Sequence, residues 1–269
     1  MFGKGKETKS ESQKAVSLQE AERILGRKNV LDSDATEQVF GVRAAEGPLL
    51  FSEGEVERAG DLNSQLVFYS DRMNLKGETV PLTLANLKQK FPKAFDRQDW
   101  YGGEDFFKNE TPRVGWRLST KDVIPGSTGK NHLEQTDLLA AEAKKMLRDN
   151  VIPEDRKGAY EAALADFAGK RDEIASLMGS DWKRAAEALS TLPLNALMRE
   201  TPVETMYRLI LTNEARGKKL LPSTWTWSKR RDSRGGLVCV GRFDEQGAYV
   251  YRDYPGYRDG HLGVALSRS

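Results

Sequence analysis

The residue pattern predicts an α+β fold in which strands near both ends of the chain flank a helical block. Three observations carry that expectation. Short β-prone runs stand at 66–69, at 115–118 and again after Leu220. A helical period governs the apolar residues from His132 to about Gly217, and beyond Leu220 it gives way to alternation.

Residues 1–15 alternate Lys, Glu, Ser and Gly with no apolar period and are expected to be a disordered tail. Ser17 followed three residues later by Glu20 is the capping-box pattern. Leu18, Ala21, Ile24 and Leu25 then share a helical face, and Gly26 supplies a stop. A second short helix is expected after Asp32 or Ser33, carrying Val39 and Phe40, and Ser52 with Glu55 marks a third start. Residues 16–62 therefore form a small helical region. The buried strand Leu66-Val67-Phe68-Tyr69 follows, and Leu82, Leu84, Leu87 and Phe91 fall at helical spacing until Pro92 ends them. The segment 95–107 mixes aromatic and acidic residues, and Gly115-Trp116-Arg117-Leu118 reads as another strand.

In the helical block, stripes at Leu139, Ala143, Met146 and Leu147, at Tyr160, Ala163, Leu164 and Phe167, and at Ala185, Ala186 and Leu189 precede a final long helix bearing Met206, Leu209 and Ile210. Asn150, Pro153, Gly179 and Pro202 punctuate them. Thr224-Trp225-Thr226-Trp227 then alternates polar and aromatic residues, as a half-buried strand does. The runs 237–243 and 248–251 form a hairpin across a four-residue loop, Asp244-Glu245-Gln246-Gly247. Gly263-Val264-Ala265-Leu266 is a closing strand with Val264 and Leu266 on one face.

Composition narrows the function classes. With 42 Lys plus Arg against 40 Asp plus Glu, the 269-residue chain carries a net charge of only +2, which disfavours a protein that coats nucleic acid. No apolar run approaches the roughly 18 residues of a membrane span, and the polar N-terminus lacks a secretory core, so no membrane insertion and a cytoplasmic location are expected. One cysteine, Cys239, and two histidines, His132 and His261, leave no multi-cysteine zinc site; no metal and no cofactor are expected.

Three local patterns invite function and have plainer readings. Pro125-Gly126-Ser127-Thr128-Gly129-Lys130 has only two residues between Gly126 and Gly129, and Asn131 follows Lys130, so it reads as an exposed turn rather than a phosphate loop. Asp99, Glu104 and Asp105 could pair for acid–base chemistry, but no nucleophile accompanies them. The basic run 228–234, with Lys229, Arg230, Arg231 and Arg234, could grip phosphates or be a solvated loop.

The tail differs. Four of the eight tyrosines, Tyr249, Tyr251, Tyr254 and Tyr257, lie within nine residues, interleaved with Arg252, Asp253 and Gly256. Tyrosine supplies rigid amphipathic contact area while Gly and Asp supply adaptability, a mixture that suits a protein-binding surface. From Gly247 to Ser269 the chain also contains no Lys, Glu, Gln, Met or Trp. Those five types cannot be reached from an Asn codon, AAC or AAT, by changing its adenines alone, whereas Tyr, Asp, His, Ser, Gly, Arg and Cys can.

On these residues the tail resembles the variable proteins of diversity-generating retroelements, whose ligand-binding domain has a C-type lectin fold. The likeness rests on the run of nine from Gly235 to Phe243, on Gly247 to Pro255, and on Leu262-Gly-Val-Ala-Leu-Ser-Arg268, which is similar to that family's unchanging end strand. It implies a C-type lectin-like domain over 63–269 with a helical insertion about 132–217, or a helical block packed beside it, and a variable segment about 235–262. It implies ligand contacts at Cys239, Arg242, Tyr249, Tyr251, Arg252, Asp253, Tyr254, Gly256, Tyr257, Asp259 and His261. Trp225, Trp227, Val238, Val240, Phe243, Val250, Val264 and Leu266 would be the rigid scaffold. Cys239 and Arg242 are three apart, so a bulge near Gly241 is needed to bring them to one face. The partner implied is a protein or another macromolecular ligand. The enzymatic relatives of that fold need a pair of active cysteines, so no enzyme is expected; the alternative is a nucleic-acid-associated protein using the basic loop 229–234.

Overall fold

The computed structural model describes residues 14–269. Most of the expected disordered tail lies outside the described residues; of the rest, Ala15 forms an antiparallel bridge with Ser52. Helix and strand take 46% and 20% of the described residues, an α+β composition in which helices must cover both sheets.

The N-terminal third forms as its caps dictate. Ser17 Oγ accepts the Glu20 N–H and the Glu20 carboxylate accepts the Ser17 N–H, starting α1 (Leu18–Leu25). After the short β1 (Val30–Leu31), Asp32 caps α2 (Ser33–Phe40), which Gly41 ends at φ 79°. Ser52 and Glu55 make a second capping box at α3 (Glu53–Asp61). Then come β2 (Ser64–Tyr69), the ribbon β3 (Arg72–Leu75) and β4 (Glu78–Pro81), α4 (Leu84–Lys90), the one-turn α5 (Asp105–Lys108) and β5 (Gly115–Thr120). Five helices follow: α6 (His132–Arg148), α7 (Glu154–Ser180), α8 (Trp182–Thr191), α9 (Pro193–Met198) and α10 (Pro202–Arg216). The chain closes with β6 (Trp225–Arg231), β7 (Leu237–Asp244), β8 (Gly247–Asp253), β9 (Leu262–Gly263) and β10 (Ser267–Arg268).

Two four-stranded sheets result. The first runs β1-β2-β5-β10, with β2 and β5 antiparallel in the register Leu66↔Leu118 and Phe68↔Trp116. The second runs β8-β7-β6-β9. Alternation sorts their side chains. Leu66, Phe68, Trp116 and Leu118 pack under α1 and α3, while Val67 and Tyr69 face α10. In the second sheet Val238, Val240 and Val250 share that central core with α10, and Trp227, Leu237 and Cys239 pack against α6 to α9.

Several expectations need correction. The helices run from His132 to Arg216, but they do not pack as one block: α10 lies between the sheets, buried from Pro202 through Thr212, and belongs to the central core. Its apolar stripe is helical like those of its neighbours, and only the tertiary environment separates them. The N-terminal helices pack onto the first sheet, where α1 and α3 complete the core of β2 and β5. The closing strand is two strands: β9 pairs in parallel with β6, and β10 pairs antiparallel with β5, so residues 262–268 tie the sheets together. The 237–253 hairpin turns through Glu245 and Gln246 alone, since Asp244 already pairs with Gly247. β6 is also buried on both faces around Thr226 and Trp227, rather than half-buried.

A buried polar network joins the first sheet to α10. The Glu200 carboxylate accepts from Arg208 Nε at 2.9 Å and Nη2 at 3.0 Å, from the Tyr69 hydroxyl at 2.9 Å, and from Ser119 Oγ at 3.0 Å. Arg117 and Glu204 pair alongside at 2.9 Å. These contacts hold the Glu200 carboxyl below its usual range against the opposing effect of burial.

Candidate functional site

The surface on the second sheet is organised by one register. Cys239 pairs with Tyr251, Gly241 with Tyr249 and Leu237 with Asp253, so Tyr249, Tyr251 and Asp253 share a face. Ala248 and Val250, on the opposite face, are in the central core. On the neighbouring strand Trp225 pairs with Gly241. With no side chain at Gly241, the Trp225 ring reaches Tyr249, 6.3 Å between centroids and 9° from parallel, and Tyr251 at 5.6 Å.

The expected bulge is present. Register shifts between Gly241 and Asp244, and Arg242 adopts φ 47°. The extra residue returns Phe243 to the central core and turns Arg242 outward, its guanidinium 5.5 Å from the Tyr249 ring centre. The displaced N–H groups are not lost: Arg242 N donates to Thr224 O at 2.7 Å and Phe243 N to Leu221 O at 2.9 Å. Gly241 is required there, because at φ 151° a Cβ would lie 2.8 Å from Trp225 Cα and nearer still to the Thr224 carbonyl.

The loop from Tyr254 to His261 is fastened rather than free. His132 N donates to Pro255 O at 3.0 Å, Gly129 N to Asp259 O at 2.8 Å, and Trp225 N to His261 O at 2.8 Å, while Arg258 pairs with Glu134 at 2.7 Å. The loop sets Tyr257 against Tyr254, 6.1 Å and edge-on. Gly256 lies under the Tyr254 ring and beside Met178 at the end of α7. Burial, and then the charges of Asp259 and Asp253, raise the Tyr257 hydroxyl. A cavity of about 430 Å³ opens beside them, lined by Pro222, Ser223, Trp225, Arg242, Asp244, Asp259 and His261.

Arg242, Tyr249, Tyr251, Asp253, Tyr254, Gly256, Tyr257, Asp259 and His261 thus border one surface, and Trp225, read from the sequence as scaffold, is its half-buried centre. Two expected contacts do not belong. Cys239 is 1% exposed beneath the surface, and burial, with the Asp253 charge, pushes its thiol up and disfavours the thiolate. Arg252 points to the other face, over Trp100 at 4.3 Å and paired with the buried Asp232 at 2.5 Å. Its position next to Tyr251 on a strand carried that signal.

The other patterns are structural. Ser127 is buried, donating to Ile124 O at 2.7 Å and accepting from Val264 N at 3.1 Å, so the turn at 125–130 anchors the closing segment. Asp99 pairs with Lys88 at 3.0 Å, Glu104 accepts from Ser233 N and Oγ at 2.7 Å each, and Asp105 accepts from Asn109 at 2.7 Å. The basic run borders a groove of about 780 Å³ whose lining sets Lys229, Arg230 and Arg231 against Glu104, Asp105, Glu110 and Asp232. Arg230 pairs with Glu110 at 2.6 Å and Arg231 with Glu187 at 3.4 Å, so part of the run's positive charge is compensated within the fold. Among the described residues no group of three or more His, Cys, Asp and Glu is disposed to hold a metal, and no helix is long and apolar enough to cross a membrane. No protein-family model, curated protein or solved structure matches the chain.

Proposed function

We propose that the protein binds a macromolecular ligand through a diversified C-terminal surface, displayed on a C-type lectin-like scaffold and rewritten by a retroelement. The observation that carries this reading is the division of labour within 235–262. Arg242, Tyr249, Tyr251, Tyr254 and His261 stand exposed or half-exposed, whereas Leu237, Val238, Val240, Phe243, Ala248 and Val250 between them are buried. Such a division lets side chains change without disturbing the core, because surface substitutions away from special features cost within about 0.5 kcal/mol. The fastened loop supports the same reading, since a surface held by backbone hydrogen bonds keeps its shape when its side chains differ. The function is binding, with no chemical step and no cofactor. The neighbouring DNA tests it. A near-copy of the gene's 3′ end, differing at adenines and adjacent to a reverse transcriptase, is the expected finding; a locus without either contradicts diversification.

A further inference from the structure

Which ligand this version of the surface fits can be argued from its charges. The cations around it are committed elsewhere: Arg242 to Asp244 at 3.7 Å, Arg258 to Glu134 at 2.7 Å, and Arg252 to Asp232 on the opposite face. Asp253 and Asp259 have no ion pair among the described residues. Each spends one carboxylate oxygen on a local backbone N–H, Asp253 on Tyr254 at 2.9 Å and Asp259 on His261 at 2.7 Å, and keeps the other. Asp253 shares a strand face with Tyr251 and precedes Tyr254, 39% and 49% exposed; Asp259 lines the cavity beside Trp225, whose ring meets Tyr251, and Tyr257 packs edge-on against Tyr254.

Exposed aromatic faces beside uncompensated carboxylates are attractive to a cation on both counts. The ring quadrupoles draw an ammonium or guanidinium, and the carboxylates supply charge-assisted hydrogen bonds. A carboxylate-bearing ligand would meet repulsion at the same place. Resting on the binding role proposed above, we infer that the partner of this chain is a protein that presents a lysine or arginine side chain to Tyr251, Tyr254 and Tyr257 between Asp253 and Asp259.

The test is selection of a random peptide library displayed on phage against the full chain, followed by affinity measurement on the enriched peptides as synthetic molecules. Enriched peptides are expected to carry Lys or Arg. Their binding is expected to weaken about tenfold in the double variant Asp253→Asn, Asp259→Asn, and to weaken with added salt. Asn keeps the oxygen that accepts each backbone N–H, so the variant's melting temperature should match the wild type's. Enrichment of peptides without Lys or Arg, no enrichment at all, or a double variant that binds within about twofold overturns the inference. Non-basic peptides that lose binding in Tyr251→Ser or Tyr254→Ser would overturn the basic partner and leave the display surface standing. Peptides indifferent to those tyrosines would remove both.

Discussion

Replacing Gly241 with alanine probes the joint on which the display surface depends. The added methyl would stand 2.8 Å from Trp225 Cα and closer still to the Thr224 carbonyl oxygen, both backbone atoms of the adjoining chain, so no rotamer change can relieve the clash. The residue also sits at φ 151°, which side-chain-bearing residues rarely adopt. Strained backbone costs about 1–3 kcal/mol and overpacking a further 1–3 kcal/mol, so Gly241→Ala should lose about 2–6 kcal/mol. That is a large share of the roughly 5–15 kcal/mol by which a domain is stable. Urea denaturation of the two proteins, followed by far-UV circular dichroism, measures it. A loss under about 1 kcal/mol would refute the claim that β6 and β7 approach at Gly241 and that the bulge there fixes Arg242.

Arg242→Asn should stabilise slightly: relief of the left-handed conformation gains about 1–2 kcal/mol and loss of the stack on Tyr249 costs about 0.5–1, a net gain near 0.5–1 kcal/mol that the same denaturation reads. Arg208→Met leaves the buried Glu200 carboxylate without its cation and should cost about 3–5 kcal/mol, visible as a fall in thermal midpoint; an unchanged midpoint contradicts the network's role. His132 is buried beside Trp227, and burial followed by the Arg199 charge holds its imidazole well below the usual value. Its folded pKa is the lower one, so below the unfolded value of about 6.5 only the unfolded chain gains the proton, and stability falls with pH by up to about 1.4 kcal/mol per unit. His132→Phe should therefore narrow the gap in stability between pH 7 and pH 5.5 by about 1.4 kcal/mol relative to wild type; an equal gap in both proteins contradicts it.

What the sequence disclosed was local. Ser17 with Glu20 and Ser52 with Glu55 act within one helical turn, so the pattern alone places those helix starts. The place of α10 was hidden because Met206, Leu209 and Ile210 repeat like any amphipathic stripe, while Glu204, which the local pattern places only as a cap partner of Thr201, also pairs with the distant Arg117. The closing strand divides because its two halves meet β6 and β5, which lie far back in the chain. In 235–262, composition singled out a stretch but not the faces of its strands. Cys239 and Arg252 were included because residue type carries no direction, and the register that hides them is set by pairing. Trp225 was assigned to the scaffold because tryptophan is usually buried; its ring instead lies at the edge of the core, where Gly241 leaves room for it.

The most direct measurement compares two libraries on a display platform with protease resistance as the readout of folding. One varies Arg242, Tyr249, Tyr251, Asp253, Tyr254, Tyr257, Asp259 and His261 among the residues reached by changing the adenines of Asn codons. The other varies Val238, Val240, Ala248 and Val250 in the same way. A framework that presents interchangeable side chains predicts that most members of the first library resist proteolysis and few of the second do. Equal loss in both would contradict it.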